Sequence, residues 1–415
     1  MIKKILVTLL LFQATYTFSQ QSTSSPYSLY GFGLEKFNGT NASRGMAGLS
    51  AYSDVGNQNL QNPSTYADLK LTSFAVGGTY TNTNIKTTEG TGKGAATTFD
   101  YLALGIPAGK FGIGLGIVPY RSVGYNVETS GVDENGDDFD QSLEGLGNLN
   151  RLYLSLGSEV MKGLKLGGEL QYNFGRLEEQ ISVFPTTTFA SRFIFQSDVS
   201  GFSYRLSAMY DFDLYEDLQI RTYLMYDGSG EFSVINSEER ATVSGDTGTF
   251  SVDEEIVEEE DRLLEIPTKI TMGFSASKKN LWHFATESYI GENGGYRDRR
   301  LDRDEVVFTD SYGIKAGGFY IPKFNSLTNY LNRITYRVGV RYDKLGLQVF
   351  NQDISEFGIS FGFGLPLPRE FSNLDIAFET GSRGVVTSNT IKENFFSLSL
   401  GLSISQKWFR KRKYD

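Results

Sequence analysis

His283 is the only imidazole in a chain of 415 residues that has no cysteine. A hydroxyl nucleophile needs a base within hydrogen-bond reach, so Ser–His chemistry would have to pass through His283. Glu287 falls on the same strand face and could orient the ring. No nucleophile elbow accompanies them. His283 therefore reads as a polar wall residue, and the chain as a non-enzyme without a cofactor. The absence of cysteine also excludes disulfides, thiolate metal sites and an N-terminal lipid anchor.

Three further constellations could do chemistry. Arg333, Arg337 and Arg341 recur every fourth residue, which on a strand places them on one face. They form a basic ladder, either paired with acids such as Glu169, Asp375 and Glu379 or acting as an anion guide. Asp133, Asn135, Asp137 and Glu144 have the spacing of calcium-loop ligands, but Asp138 stands where that loop needs glycine. An acidic solvated loop is the default reading, with no metal. The runs Asp253-Glu254-Glu255 and Glu258-Glu259-Glu260-Asp261 read as solvated acid. With a formal net charge of −10, a general affinity for nucleic acid is excluded.

The elements that would hold these residues are strands. From Phe396 to Ser405 the even positions are Phe, Leu, Leu, Leu and Ile, and the odd positions are Ser or Gly. A period of two puts oil on one face and small polar groups on the other. The same alternation runs through Phe111–Val118, Leu164–Phe174 and Phe357–Leu365. About fourteen such segments occur between 72 and 406, near the roughly 10 residues that a tilted strand needs to cross a bilayer. Long connections, among them 125–150, 177–192 and 229–266, alternate with short ones, as in an up-and-down outer-membrane barrel. Aromatic residues make up 14% of the chain, with 31 Phe and 24 Tyr, which suits the girdles of such a barrel. The expected fold is thus an all-β transmembrane antiparallel barrel of about 14 strands.

The ends of the chain divide further. Lys3, Lys4 and the apolar stretch Ile5–Phe12 read as a secretory signal peptide ending near Ser19. Residues 20–71 are rich in Gly, Ser and Asn and lack a period of two. An N-terminal plug in the lumen is the economical place for them. The barrel is expected over 72–409, followed by a basic periplasmic tail, 410–415. The localisation expected is the bacterial outer membrane.

Within 20–71, the stretch Ser43-Arg44-Gly45-Met46-Ala47-Gly48-Leu49-Ser50-Ala51-Tyr52 is followed by Asp54 and Asn57. Asn62-Pro63 then lead into the strand at Phe74–Tyr80. This resembles the N-terminal hatch of the FadL-type family of outer-membrane transporters for long-chain fatty acids and hydrophobic compounds, including its secretion-associated relatives. That family reads R-x-x-A-G, then an Asp, then N-P-A. Here Ser64 replaces the last alanine.

The resemblance implies fourteen strands around a plug carrying Arg44, Gly45, Gly48, Asp54, Asn62 and Pro63. It also implies a kinked third strand that opens a lateral exit. Pro119 ends the third apolar run, so Gly116, Pro119, Tyr120 and Arg121 would line that exit. Glu169, Arg333, Arg337, Arg341 and Glu379 would be lumen charges. The function implied is passive uptake of hydrophobic or amphipathic small molecules past the plug, with outer-membrane lipid and an apolar ligand as partners. The alternative is an accessory barrel subunit of a secretion or assembly machine, with other outer-membrane or periplasmic proteins as partners.

Overall fold

The computed structural model describes residues 23–132, 136–185, 189–215, 217–244, 250–258, 261–293, 305–367 and 372–408. The signal peptide, the basic tail, Asp133 and Asn135 lie outside these residues. The strands are β1 (Leu34–Glu35), β2 (Thr72–Lys86), β3 (Thr91–Ala108), β4 (Phe111–Val132), β5 (Asp138–Met161), β6 (Leu164–Pro185), β7 (Ala190–Tyr215), β8 (Leu218–Gly228), β9 (Glu231–Ser244), β10 (Phe250–Glu258), β11 (Arg262–Glu265), β12 (Thr268–Lys278), β13 (Trp282–Glu292), β14 (Val306–Phe308), β15 (Ser311–Tyr320), β16 (Thr335–Val349), β17 (Gln352–Pro366), β18 (Asn373–Arg383) and β19 (Lys392–Gln406).

Fourteen of them, β2–β8, β12, β13 and β15–β19, form a closed antiparallel barrel. The ring closes between the last strand and the first, from Gln406 opposite Thr72 to Lys392 opposite Lys86. A closed ring leaves no strand edge in the hydrocarbon, where an unpaired amide costs several kcal/mol.

The alternation decides which face meets lipid. On β5, Leu152, Leu154 and Leu156 are 50%, 55% and 48% exposed, while Tyr153 and Ser155 between them are buried. Tyr172, stacked on Phe174 and close to Phe202, marks the outer aromatic girdle.

The strands reach further outward than the period-two pattern shows. The long connections expected at 125–150 and 177–192 are largely strand. The β4–β5 ladder continues to Val132 opposite Asp138, and β6–β7 to Val183 opposite Ser191. The connection expected at 229–266 holds β9–β11. The lower half of β7 pairs with β8, and its upper half with β9. β9 then carries β10 and β11. Above the bilayer both faces of a strand meet water, so the hydrophobic alternation fades while the hydrogen bonding continues.

A cation placed on the lipid face loses its hydration. Leu154→Arg is expected to lower stability by about 2–4 kcal/mol if the residue sits at midplane, read as a shift of the urea unfolding curve of the barrel folded into lipid vesicles.

Candidate functional site

One ladder of the ring ends early. The β3–β4 ladder begins at Ala108 opposite Phe111 and stops at Leu102 opposite Ile117. Two residues later stands Pro119, which has no N–H to give a neighbouring strand. Pairing with β5 shifts register between Pro119 and Arg121, so Tyr120 is the extra residue of a bulge, and the bulge re-aims the strand. One rung before the last, Gly116 is needed for close approach: a Cβ there would lie 2.3 Å from the Leu102 carbonyl oxygen.

Beyond the break, the N-terminal arm takes the place of β3 against β4. Leu34 pairs with Ser122 and Glu35 with Arg121. The Lys36 amide donates to the Tyr120 carbonyl at 2.9 Å. The Gly124 amide donates to Ser28 Oγ at 3.0 Å, and Arg121 Nη1 donates to the Gly33 carbonyl at 3.1 Å. The arm also passes close to both rims. A Cβ on Gly94 of β3 would lie 2.5 Å from Ser24 Cβ, and one on Gly124 of β4 would lie 2.1 Å from the Thr23 carbonyl oxygen. Two guanidiniums lie near the Tyr120 ring, Arg151 at 4.0 Å and Arg121 at 5.5 Å from its centre.

Inside the ring, the segment after the arm is tied to the wall on many sides. Thr40 caps a short helix, α1 (Asn41–Arg44). From its end Arg44 pairs with Asp100 at 3.4 Å and Glu379 at 3.8 Å, and lies over the Phe37 ring. Gly45 abuts Gly362, whose Cα would be 3.0 Å from a Cβ on Gly45. Gly48 has φ +76°, a left-handed conformation open to glycine. The Ala47 amide donates to Ser360 Oγ, and the Ser50 amide to Glu287. Tyr223 and Lys315 also bind Glu287.

Asp54 closes a turn by accepting from the amides of Gly56 and Asn57. Asn62 caps the 3-10 turn that Pro63 opens. Arg205 donates to the Gln61 carbonyl and pairs with Asp227 at 2.5 Å and Glu169 at 3.7 Å. Lys165 joins Asp68 and Asp211 at 2.5 and 2.6 Å. Arg221 bonds to Asp211 at 2.6 Å and to the Ala51 carbonyl at 2.8 Å.

On the outer side of this segment is a cavity of about 400 Å³, lined among others by Lys36, Arg44, Tyr120, Arg121, Arg151 and Glu379. Its lining mixes these charged groups with apolar side chains such as Leu34, Phe37, Ile266 and Phe395. Burial lowers the Lys36 ammonium to about 8, against the pull of Asp100, with Arg44 and Arg383 adding to the lowering.

The arginines singled out from the sequence divide, two pairing with acids as expected and one lying elsewhere. Arg337 pairs with Asp375 at 2.7 Å. Arg341 binds Asp343 at 2.6 Å, Glu379 at 2.8 Å, and Glu356. Arg333 is not on their strand. It ends the 3-10 turn Leu331–Arg333, and its guanidinium lies 5.1 Å from the centre of the Tyr330 ring.

The calcium-loop spacing fails for a backbone reason. From Asp138 the chain is already β5, so Asp137 and Glu144 are separated by extended strand, roughly 20 Å along the chain. Glu144 accepts from Asn126 instead. His283 is buried, stacked near Phe319 and edge-on to Tyr52. Residues Gly358–Gly362 do spell G-x-S-x-G, but they lie within β17 rather than at an elbow, and Ser360 receives the Ala47 amide. Arg151, Arg205 and Arg221 were not picked out from the sequence. Their signal is a charge at an inward position of a strand whose other face is oily.

The family model described as BamG matches residues 1–415. The chain belongs to the BamG family. No curated protein matches its sequence. Solved structures show the fold of this BamG-family chain in outer-membrane channels of FadL type. The toluene transporter TodX of P. putida has a TM-score of 0.58 at 16% identity, covering 91% of this chain and all of its own. The monoaromatic hydrocarbon channel CymD gives 0.58 at 13% identity, covering 90% and 99%. A Pseudomonas aeruginosa FadL homologue gives 0.58 at 12%, covering 89% and 98%. These likenesses show the fold.

Breaking one partner of a buried ion pair strands the other charge. Arg337→Met in this BamG-family barrel is expected to cost about 3–5 kcal/mol, and Arg337→Met with Asp375→Leu to recover most of it. Urea unfolding in vesicles checks both.

Proposed function

We propose that this barrel is a passive path through the outer membrane for small amphipathic molecules, and that it is not an enzyme. Solute collects in the outer cavity and leaves sideways where β3 parts from β4, past the arm 23–36. The observation that carries this reading is the end of the β3–β4 ladder at Leu102 opposite Ile117, with the short β1 pairing and a few bonds from the arm in its place. The fold shared with channels whose names include toluene and monoaromatic hydrocarbon supports it. An apolar tail gains about 25 cal/mol per Å² on leaving water. The guanidiniums of Arg121 and Arg151 beside Tyr120 favour a solute that also carries a polar or anionic end.

A second reading is a structural or accessory subunit of an outer-membrane complex. It is favoured by the fixing of residues 41–68 to the wall, by Arg44, Arg205, Arg221 and Lys165 at separate places around the ring. A segment bonded this widely suits a permanently closed lumen. Co-purification with a large envelope complex at fixed stoichiometry would select this reading.

The chain has no cysteine, so one engineered pair tests the path. Leu34→Cys with Ser122→Cys joins two directly paired residues and clamps the arm to β4. Uptake of radiolabelled dodecanoate by intact cells is expected to fall to the level of cells lacking the barrel when the pair is oxidised, and to return with reductant. Equal uptake in both redox states, or none in the unmodified protein, overturns the proposal.

A further inference from the structure

The connections at the short-loop end of the barrel, which faces the periplasm in outer-membrane barrels, are two to six residues long except for the one between β15 and β16. Between Tyr320 of β15 and Thr335 of β16 the chain makes a long excursion. It is held in one shape by its own hydrogen bonds. The Lys323 amide donates to the Asn332 carbonyl at 2.8 Å, closing the loop, and the Ser326 amide donates to the Lys323 carbonyl at 3.2 Å. Ser326 Oγ accepts from the Asn329 amide, and Asn329 Oδ1 from the Leu331 amide. The loop is also tied to both neighbours. The Ile321 amide donates to the Leu281 carbonyl at 2.7 Å, and the Tyr330 hydroxyl to the Pro366 carbonyl at 3.2 Å.

This braced loop presents oil. Leu327 is 98% exposed, Leu331 61%, Phe324 49% and Tyr330 42%. Scattered single apolar residues on a surface need no explanation, but an ordered cluster does. Its charge is one-sided: Lys323 and Arg333 flank the cluster, and no Asp or Glu occurs between Pro322 and Ile334. Arg333 has no carboxylate partner among the described residues, and its Nε is buried without an acceptor.

Two surroundings could receive such a tip, the inner lipid leaflet or a protein. The backbone separates them. Among the described residues the amides of Leu327 and Thr328 have no protein acceptor, so they need water or a partner's carbonyls and cannot enter hydrocarbon. A pre-formed loop also loses little conformational entropy on docking, which favours a specific protein contact.

We propose that the loop 321–334 is the docking point for a periplasmic protein that offers an apolar pocket with an acidic rim. Leu327 and Leu331 fill the pocket, and Lys323 and Arg333 meet the rim. This goes beyond the solute path, which lies at the other end of the barrel, and it stands or falls separately from it.

The test places the photo-crosslinker p-benzoylphenylalanine at position 327 of the full chain in its native envelope. The expected result is one discrete protein adduct that disappears with Lys323→Glu and Arg333→Glu together. The partner identified from that adduct, once purified, should bind the barrel in nanodiscs with an affinity that weakens with salt and drops about tenfold or more for Leu327→Asp. An unchanged heat-modifiable gel shift shows that each variant barrel is folded. Adducts to lipid alone, no adduct in folded barrels, or a protein adduct indifferent to charge reversal overturns the proposal.

Discussion

Everything in this molecule depends on the need of backbone amides and carbonyls in oil for partners within the chain. A sheet satisfies that need only if it closes on itself. The ladder between the first and last barrel strands supplies the closure. The alternation of side chains follows, because a closed sheet has one face in lipid and the other inside. The break between β3 and β4 is where the rule is relaxed. The chain compensates there with its own N-terminal arm, which gives β4 the carbonyls, amides and hydroxyl that β3 no longer supplies.

The interior obeys the opposite economy. Fourteen inward faces around an irregular segment leave many polar groups out of water, and buried ions are tolerable only when paired and hydrogen-bonded. The lumen meets this with clusters rather than isolated pairs. Arg341 reaches Asp343, Glu356 and Glu379, and Lys165 and Arg221 share Asp211. Such clusters add little net stability compared with an oily core. They do fix one arrangement, because a displaced segment would leave charges without partners.

Much of the barrel was legible in the sequence because two solvents write two patterns on alternate residues. The fourteen segments expected from that alternation coincide with the fourteen barrel strands to within a few residues at their inner ends. The outer ends were not legible. Stretches such as Glu178-Glu179-Gln180 and Ser237–Arg240 are polar on both faces, so nothing in their composition separates strand from loop, yet both are strand. Arg333 shares its spacing with Arg337 and Arg341, but spacing means a shared face only within one element, and Thr335 is where that element begins. The ligand-like spacing ending at Glu144, read by default as no metal site, holds Glu144 away from Asp137 for a similar reason, since the chain from Asp138 onward is extended. Pro119 carried usable information, because a missing donor has the same consequence in any sheet.

The N-terminal segment is bonded to residues from the far end of the chain. Ser25 Oγ donates to Glu393 across 368 residues of sequence, and Ser405 Oγ donates to the Gly56 carbonyl across 349. Contacts of such separation return nothing until nearly the whole polypeptide has been placed, so loop-closure entropy must be met before they contribute. The segment 23–71, though it precedes the barrel strands in sequence, is therefore among the last to find its seat. Until the final strand arrives, the open edges of a half-built wall must be kept from other strands.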